Sequence, residues 1–251
     1  MAEVEVQLER LTSPEVRERI ASGWKTVVFG CGSIEQHGPH LPLFVDSEFG
    51  TWLALEVAQR LDRALIAPTI RVGCSEHHMN FPGSLTLRKE TFHDVVIDYV
   101  SSLARHGFER ILIIPCHGGN FKPLQEVEGR LQEAAGEARG QIWADLMGLV
   151  RLWRNVTEEA VGLGDRVGGH ADISETAIMM ARHPDVVRTG LAEPGYTGDL
   201  SREVIDSAIR NGLETVTPNG ILGDARGGTP ELGKKLIAAV ADEIVNHFGE
   251  N

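Results

Sequence analysis

The residues most able to do chemistry crowd into one stretch, GSIEQHGPHLPLFVD, residues 32 to 46. Glu35 and His37 lie two apart, and in extended backbone residues two apart project to the same side, so one metal cluster can take both. Asp46 stands where a helix is expected to begin, a place that favours a carboxylate, and its two oxygens can bridge two cations. Pro39 and Pro42 stiffen the intervening chain and reduce the entropy lost when ligands are fixed. His117 and Glu175 complete a set of two imidazoles and three carboxylates. That mixture suits Zn2+, Mn2+ or Fe2+ rather than a thiolate site. Five protein ligands exceed what one open tetrahedral ion accepts and match two divalent ions sharing a bridging hydroxide. The chemistry expected is hydrolysis. Two ions bring the pKa of a bridging water toward neutrality, and the hydroxide attacks a polarised carbonyl carbon. His170 and Glu175 are the catalytic candidates, Glu175 doubling as a ligand. His40, Glu76, His77 and Asn120 are candidate substrate contacts or supports for the ligands. Each position also has a plainer reading alone: Asp46 as a helix cap, His40 as a loop anchor, the HGG at 117–119 as a turn. Their joint placement carries the metal reading.

Such groups need elements to bring them together. WKTVVFGCGS (24–33), ALIAPTI (64–70), RILIIPCHGGN (110–120, apolar to 116) and QIWADL (141–146) read as strands, three of them ending at Gly, Pro or Cys before a chemistry-bearing turn. Helices are expected over 46–63, capped by Asp46 or Ser47, over 89–108 and over 121–138. A loop leading into a helix is expected over 168–184, and further helices in LSREVIDSAIRNG and TPELGKKLIAAVADEIVNHFG. CSEHHMNFPGSLTLR (74–88) reads as a long loop with an extended end. Strand and helix alternate with crossover-length helices, which specifies a three-layer α/β/α sandwich with a mainly parallel sheet. In such sheets ligands bind beyond the carboxyl ends of the strands. Glu35 and His37 follow the first strand and His117 the third. His170 and Glu175 follow the strand at 141–146, so parallel strands would converge them at one edge. His93, His106, His183 and His247 fall on helices or helix ends and read as surface or capping residues.

The chain of 251 residues is 42% hydrophobic and 24% charged, the balance of one ordinary globular domain over residues 1–251. Its formal charge of −12 argues against nucleic-acid binding, which needs clustered Lys and Arg. The odd number of cysteines, Cys31, Cys74 and Cys116, points to free thiols in a reducing compartment. The start MAEVEVQLERL has no secretory pattern and no apolar run reaches membrane-spanning length, so a cytoplasmic protein is expected.

Four segments, GSIEQHGPHLPLFVD, SEHHMNFPGSLTL, PCHGGN and GGHADISET, resemble in order and spacing the signatures of the creatininase (creatinine amidohydrolase) family. The resemblance implies a creatininase-like fold, a binuclear centre of Zn2+ and/or Mn2+ (Fe2+ as a further option), and a homo-oligomer, often a hexamer. It implies metal ligation by Glu35, His37, Asp46 (the bridge), His117 and Glu175, with His170 moving a proton. One departure bears on substrate. Creatininase proper has a HYEN-like turn where this chain has HGGN, so Gly119 replaces a ligating carboxylate. The aromatics that hold creatinine have no secure counterpart, Trp143 and Trp153 being merely near in sequence. The expected activity is therefore hydrolysis of an amide or formamide C–N bond in a small, cyclic carbonyl compound other than creatinine. The alternatives are C–C ring opening of a keto-inositol or cyclic ketone, a peptidase of the mycofactocin-maturation type, and a non-catalytic metal- or metabolite-binding protein. Arg71, Arg88 and Arg226 are the cations left to meet a charged substrate.

Overall fold

The structure, a computed structural model, describes residues 4–249. Strands β1 (Thr26–Cys31), β2 (Ala64–Ile66), β3 (Arg110–Pro115) and β4 (Arg139–Ile142) form one sheet in the order β2-β1-β3-β4, every pair parallel. Neighbouring residues of each strand bury in opposite directions. Val28, Ile66, Leu112 and Ile114 pack beneath α2 (Val45–Arg60), α5 (Leu146–Val161), α6 (Ile173–Arg182) and α8 (Pro230–Gly249). Val27, Phe29, Leu65, Ile111 and Ile113 pack beneath α3 (Lys89–Arg105) and α4 (Gly118–Ala135). With both faces covered, neither alternate position can be polar, which is why these strands read as continuous apolar runs. The three-layer α/β/α architecture is present as expected.

Several boundaries move for identifiable reasons. The strand expected over 64–70 pairs regularly only to Ile66, two residues before Pro68, and Ile70 returns as a single bridge beside Cys31. The strand expected over 141–146 ends at Ile142 because Asp145 opens a helix: its carboxylate accepts the Gly148 N–H at 2.8 Å. That helix, α5, buries Leu149, Trp153 and Thr157 at four-residue spacing, and neither it nor α1 (Ser13–Ala21) was anticipated. The α3 and α4 helices end before Gly107 (φ +98°) and Gly136 (φ +61°), left-handed positions that cost glycine little.

The segment at 168–184 holds a strand as well as a helix. β5 (Val167–His170) pairs antiparallel with β6 (Leu222–Gly223) in a separate two-stranded sheet. His170 therefore approaches the centre from this second sheet, after α5, and not directly from the end of β4. α7 (Arg202–Asn211) lies between them in sequence. His93 is buried within α3, unlike its surface expectation, while His106 and His247 are exposed and half-buried His183 pairs with Glu48 at 3.0 Å. Among the described residues no helix is long and apolar enough to cross a membrane.

Candidate metal centre

The backbones of β1 and α2 touch. A Cβ at Gly32 would lie 2.6 Å from the Asp46 carbonyl oxygen, and one at Gly30 would lie 2.8 Å from Gly50 Cα. This approach sets the first turn of α2 against the carboxyl end of β1. The cap of α2 is Phe44, so Asp46 sits inside the first turn, and Ser47 donates to the Ser33 and Arg71 carbonyls; neither is the expected cap. The Asp46 side chain is instead turned inward. Its Oδ1 lies 3.1 Å from His37 Nε2 and its Oδ2 lies 3.2 Å from His117 Nδ1. Glu35 Oε1 stands 3.1 Å from the same His117 Nδ1, and Glu175 Oε2 stands 3.6 Å from His37 Nε2. Two donor sets result, Glu35–Asp46–His117 and His37–Asp46–Glu175, each with its atoms within 4.8 Å of one another and with Asp46 common to both. His170 joins Glu35 and His37 in a third such grouping, its Nδ1 3.8 Å from Glu35 Oε1.

The outer atoms of the ligand candidates are tied down. His37 Nδ1 meets the Glu35 carbonyl at 3.1 Å and His117 Nε2 meets the Cys74 carbonyl at 3.1 Å, so each ring donates outward and turns its other nitrogen to the centre. Ser33 Oγ donates to Glu35 Oε2 at 3.0 Å and lies 2.6 Å from Ser75 Oγ, which is 3.3 Å from His117 Nε2. Asp172 builds the entry to α6: it accepts from Gly168, Gly169 and Ser174 N–H at 2.7–2.8 Å. It thereby supports Ala171 at φ +53°, whose N–H donates to Glu175 Oε2, a strained backbone position of the kind found at functional sites.

These residues fit divalent cations. Glu35 Oε1 and Asp46 Oδ2 are buried acceptors that receive no hydrogen bond, a costly arrangement in a protein interior unless a cation meets them. Burial by itself would raise the Glu35 carboxyl, yet the imidazoles of His117, His78 and His170 hold it well below the usual carboxylate range. Burial disfavours a charged His37, but the Asp46 and Glu175 carboxylates outweigh it and raise the ring to about 10. His117 is likewise lifted well above the ordinary value against burial, by Glu35 and Asp46. Glu175 is pushed up by burial, with Asp46 and Asp172 adding to it against His37, to about 8. Burial and the neighbouring His37 push His170 down to about 3.

In the metal-free centre protons thus stand in for cations, and loading metal must expel them. At pH 7 the raised His37, His117 and Glu175 all hold protons, so uptake of Zn2+ should release roughly two to three protons per chain. The sign follows: below a raised pKa the proton competes with metal, so apparent affinity strengthens as pH rises through about 8 and on toward about 10. Calorimetry in two buffers of different ionisation enthalpy measures the count, and buffer-independent heats would contradict it.

A family model described as creatinine amidohydrolase (Creatininase) matches residues 9–248. The chain belongs to the creatininase family. It is 29% identical over 240 residues to the mycofactocin precursor peptide peptidase of Mycobacterium ulcerans (strain Agy99), covering 92% of this chain and 87% of that protein. It is 31% identical over 191 residues to the creatinine amidohydrolase of Pseudomonas putida, covering 70% and 72%. The solved structure "Creatininase Mn" matches with a TM-score of 0.79 over 98% of each chain at 23% identity, a likeness of fold. This member of the creatininase family is a metal-dependent hydrolase.

Compared with creatininase proper, the turn at 117–120 excludes the missing carboxylate sterically. A Cβ at Gly119 would stand 2.2 Å from the Cys74 carbonyl oxygen and 2.5 Å from His117 Nε2. Trp143 and Trp153 are core residues packed edge-on against Phe121 and Phe49, so neither can hold a substrate ring. Arg71 pairs with Glu48 and Arg226 with Asp224, and Arg71, Arg88 and Arg226 are all exposed.

The remaining expected contacts divide. Glu76 is exposed and turned away from the centre. His77 is half-buried, with its ring stacked on His117 at 5.6 Å between centroids. Asn120 spends its amide on backbone, donating to the Cys31 and Gly32 carbonyls and accepting from Cys74 N–H, all at 3.0 Å, so it fastens the loop. His40 is fully buried and bonds Thr176 Oγ1 at 2.8 Å, steadying α6 beside Glu175. Two residues were missed. His78, buried, brings Nε2 to 3.3 Å from Glu35 Oε1, and Gln36 links it to His170 and to Gly220. Glu76–His78 is a 3-10 turn, in which successive side chains diverge by about 120°. Only one of the HisHis pair can point inward, and the local pattern does not set the phase.

Proposed function

We propose that this chain hydrolyses an amide C–N bond using two divalent ions per chain, Zn2+ or Mn2+. The observation that carries the reading is Asp46, one oxygen of which faces His37 at 3.1 Å while the other faces His117 at 3.2 Å. Glu35 and His117 would hold one ion, His37 and Glu175 the other, and Asp46 both. When bound, such ions supply polarisation of a carbonyl and a water acidic enough to react near neutral pH. The chain's own groups do the rest. Glu35 stays ionised, and the backbone carbonyls of Glu35 and Cys74 keep His37 and His117 aimed inward. His170, whose Nδ1 lies 3.8 Å from Glu35 Oε1, would take a proton from the attacking water and return it to the departing nitrogen.

A peptide amide is the substrate class best supported. The relative aligned over 92% of this chain carries a peptidase name, and the turn at Gly119 and the burial of Trp143 and Trp153 disfavour creatinine. Chelation followed by return of Zn2+ or Mn2+, assayed on short peptides, formamides and lactams, tests the reading. Activity should vanish and return, peptides being turned over best; full activity in thoroughly metal-free protein would sink it. With this activity we propose a homo-oligomer, a hexamer by the family resemblance, which light scattering checks.

A further inference from the structure

Four imidazoles surround Glu35 and Asp46, and three are turned alike. His37 Nδ1 lies against the Glu35 carbonyl at 3.1 Å, His117 Nε2 against the Cys74 carbonyl at 3.1 Å, and His170 Nε2 against the Gln36 carbonyl at 3.0 Å. A carbonyl oxygen only accepts, so these outer nitrogens carry a fixed proton and the inner ones are left to face the centre. His78 is turned the other way. Its Nδ1 lies 3.1 Å from Gln36 Nε2, an amide nitrogen that only donates. The orientation of that amide is fixed at both ends: Oε1 accepts from Gly38 N–H at 2.9 Å, and Nε2 donates to the Gly220 carbonyl at 3.1 Å. Its second hydrogen has two nitrogens in reach, His170 Nε2 at 2.9 Å and His78 Nδ1 at 3.1 Å. His170 Nε2 spends its proton on the Gln36 carbonyl and offers no lone pair, so the hydrogen goes to His78, whose Nδ1 holds a lone pair and whose Nε2 holds the proton. The Nε2–H points into the centre, 3.3 Å from Glu35 Oε1, yet Oε1 accepts no hydrogen bond. The donor is built, buried and uncommitted.

Resting on the amide-hydrolase reading, we propose that His78 is the hydrogen-bond donor of this site, its Nε2–H holding the carbonyl oxygen of the bound amide. It ligates no metal, and Gln36 is the positioning residue that sets its tautomer. The same arrangement explains why Gly220, at φ +78°, tolerates no side chain: a Cβ there would lie 1.9 Å from Gln36 Oε1.

Long-range proton–nitrogen spectra of the full chain, labelled with 15N-histidine, decide the tautomer. His78 should show a bare Nδ1 and a protonated Nε2 both metal-free and Zn2+-loaded. Acetohydroxamate then serves as a carbonyl probe of the Zn2+-loaded enzyme. His78→Leu should weaken its binding about tenfold, the loss of one hydrogen bond, with His78→Gln recovering part and Zn2+ content unchanged in both. Loss of the Nε2 proton on loading, reduced Zn2+ content in a folded His78→Leu chain, or unaltered acetohydroxamate affinity overturns the proposal. If His78→Leu does not fold, the spectrum of the unsubstituted chain still decides. A parent chain that takes up no Zn2+ refutes the amide-hydrolase reading instead, and its metal-free spectrum still shows whether His78 is a donor.

Discussion

Asp46→Asn is expected to lower kcat/KM by about a thousandfold or more, the scale of losing preorganised electrostatic stabilisation at a metal centre. Both ions should be lost together. Asn is isosteric with Asp, so the packing of this buried residue against β1 is retained and the effect is chemical. One oxygen becomes an amide nitrogen, which carries no lone pair for a cation, and the charge that faces both His37 and His117 disappears. Any residue serving one ion alone should leave the other in place, so the joint loss is the distinguishing result. Metal content per chain, measured beside kcat/KM and a melting curve, makes the comparison. Two ions retained, or activity within tenfold of the parent, would remove Asp46 from the bridging position.

Gly119→Ala is the second large effect, and two considerations oppose each other. Position 119 lies in the first turn of α4, where replacing Gly by Ala ordinarily gains up to about 1 kcal/mol. Against this, the new Cβ would lie 2.2 Å from the Cys74 carbonyl oxygen, a backbone atom that cannot swing aside, and 2.5 Å from His117 Nε2. Relieving such overpacking costs about 1–3 kcal/mol or more, and here it also breaks the bond from His117 to the Cys74 carbonyl that aims the ring. We expect a net loss of about 2 kcal/mol and a melting temperature roughly 4–8 °C lower for a chain of this size, with weaker metal retention. Gly118→Ala is the control. A Cβ there meets nothing within 4 Å, so it should be neutral or stabilising. Equal melting temperatures for the two variants would show that the turn is not the rigid wall described.

The same reasoning accounts for what was legible beforehand. The apolar runs at 26–31 and 110–115 announce strands covered on both faces, and Glu35 and His37 are recognisable as a same-side pair because they follow such a run. Short-range periodicity and turn chemistry act over a few residues, and that range is what a sequence displays. Asp46 is harder: as an inward-facing residue of a first turn it carries the same local signal as a cap, and the contact of Gly32 with its carbonyl decides which it is.

By itself, then, the order of residues determined the layered parallel architecture, the clustering of ligand-type side chains after strand ends and the hydrolytic chemistry they suit. Only the tertiary structure decided which of His77 and His78 enters the centre, that Glu76 faces solvent, that Asn120 is spent on backbone, and that His170 arrives from a second sheet. Those choices depend on contacts such as Gln36 with His170, 134 positions apart in the chain. Proton placement on an imidazole is set by whether its neighbour accepts or donates, and that neighbour is supplied by folding.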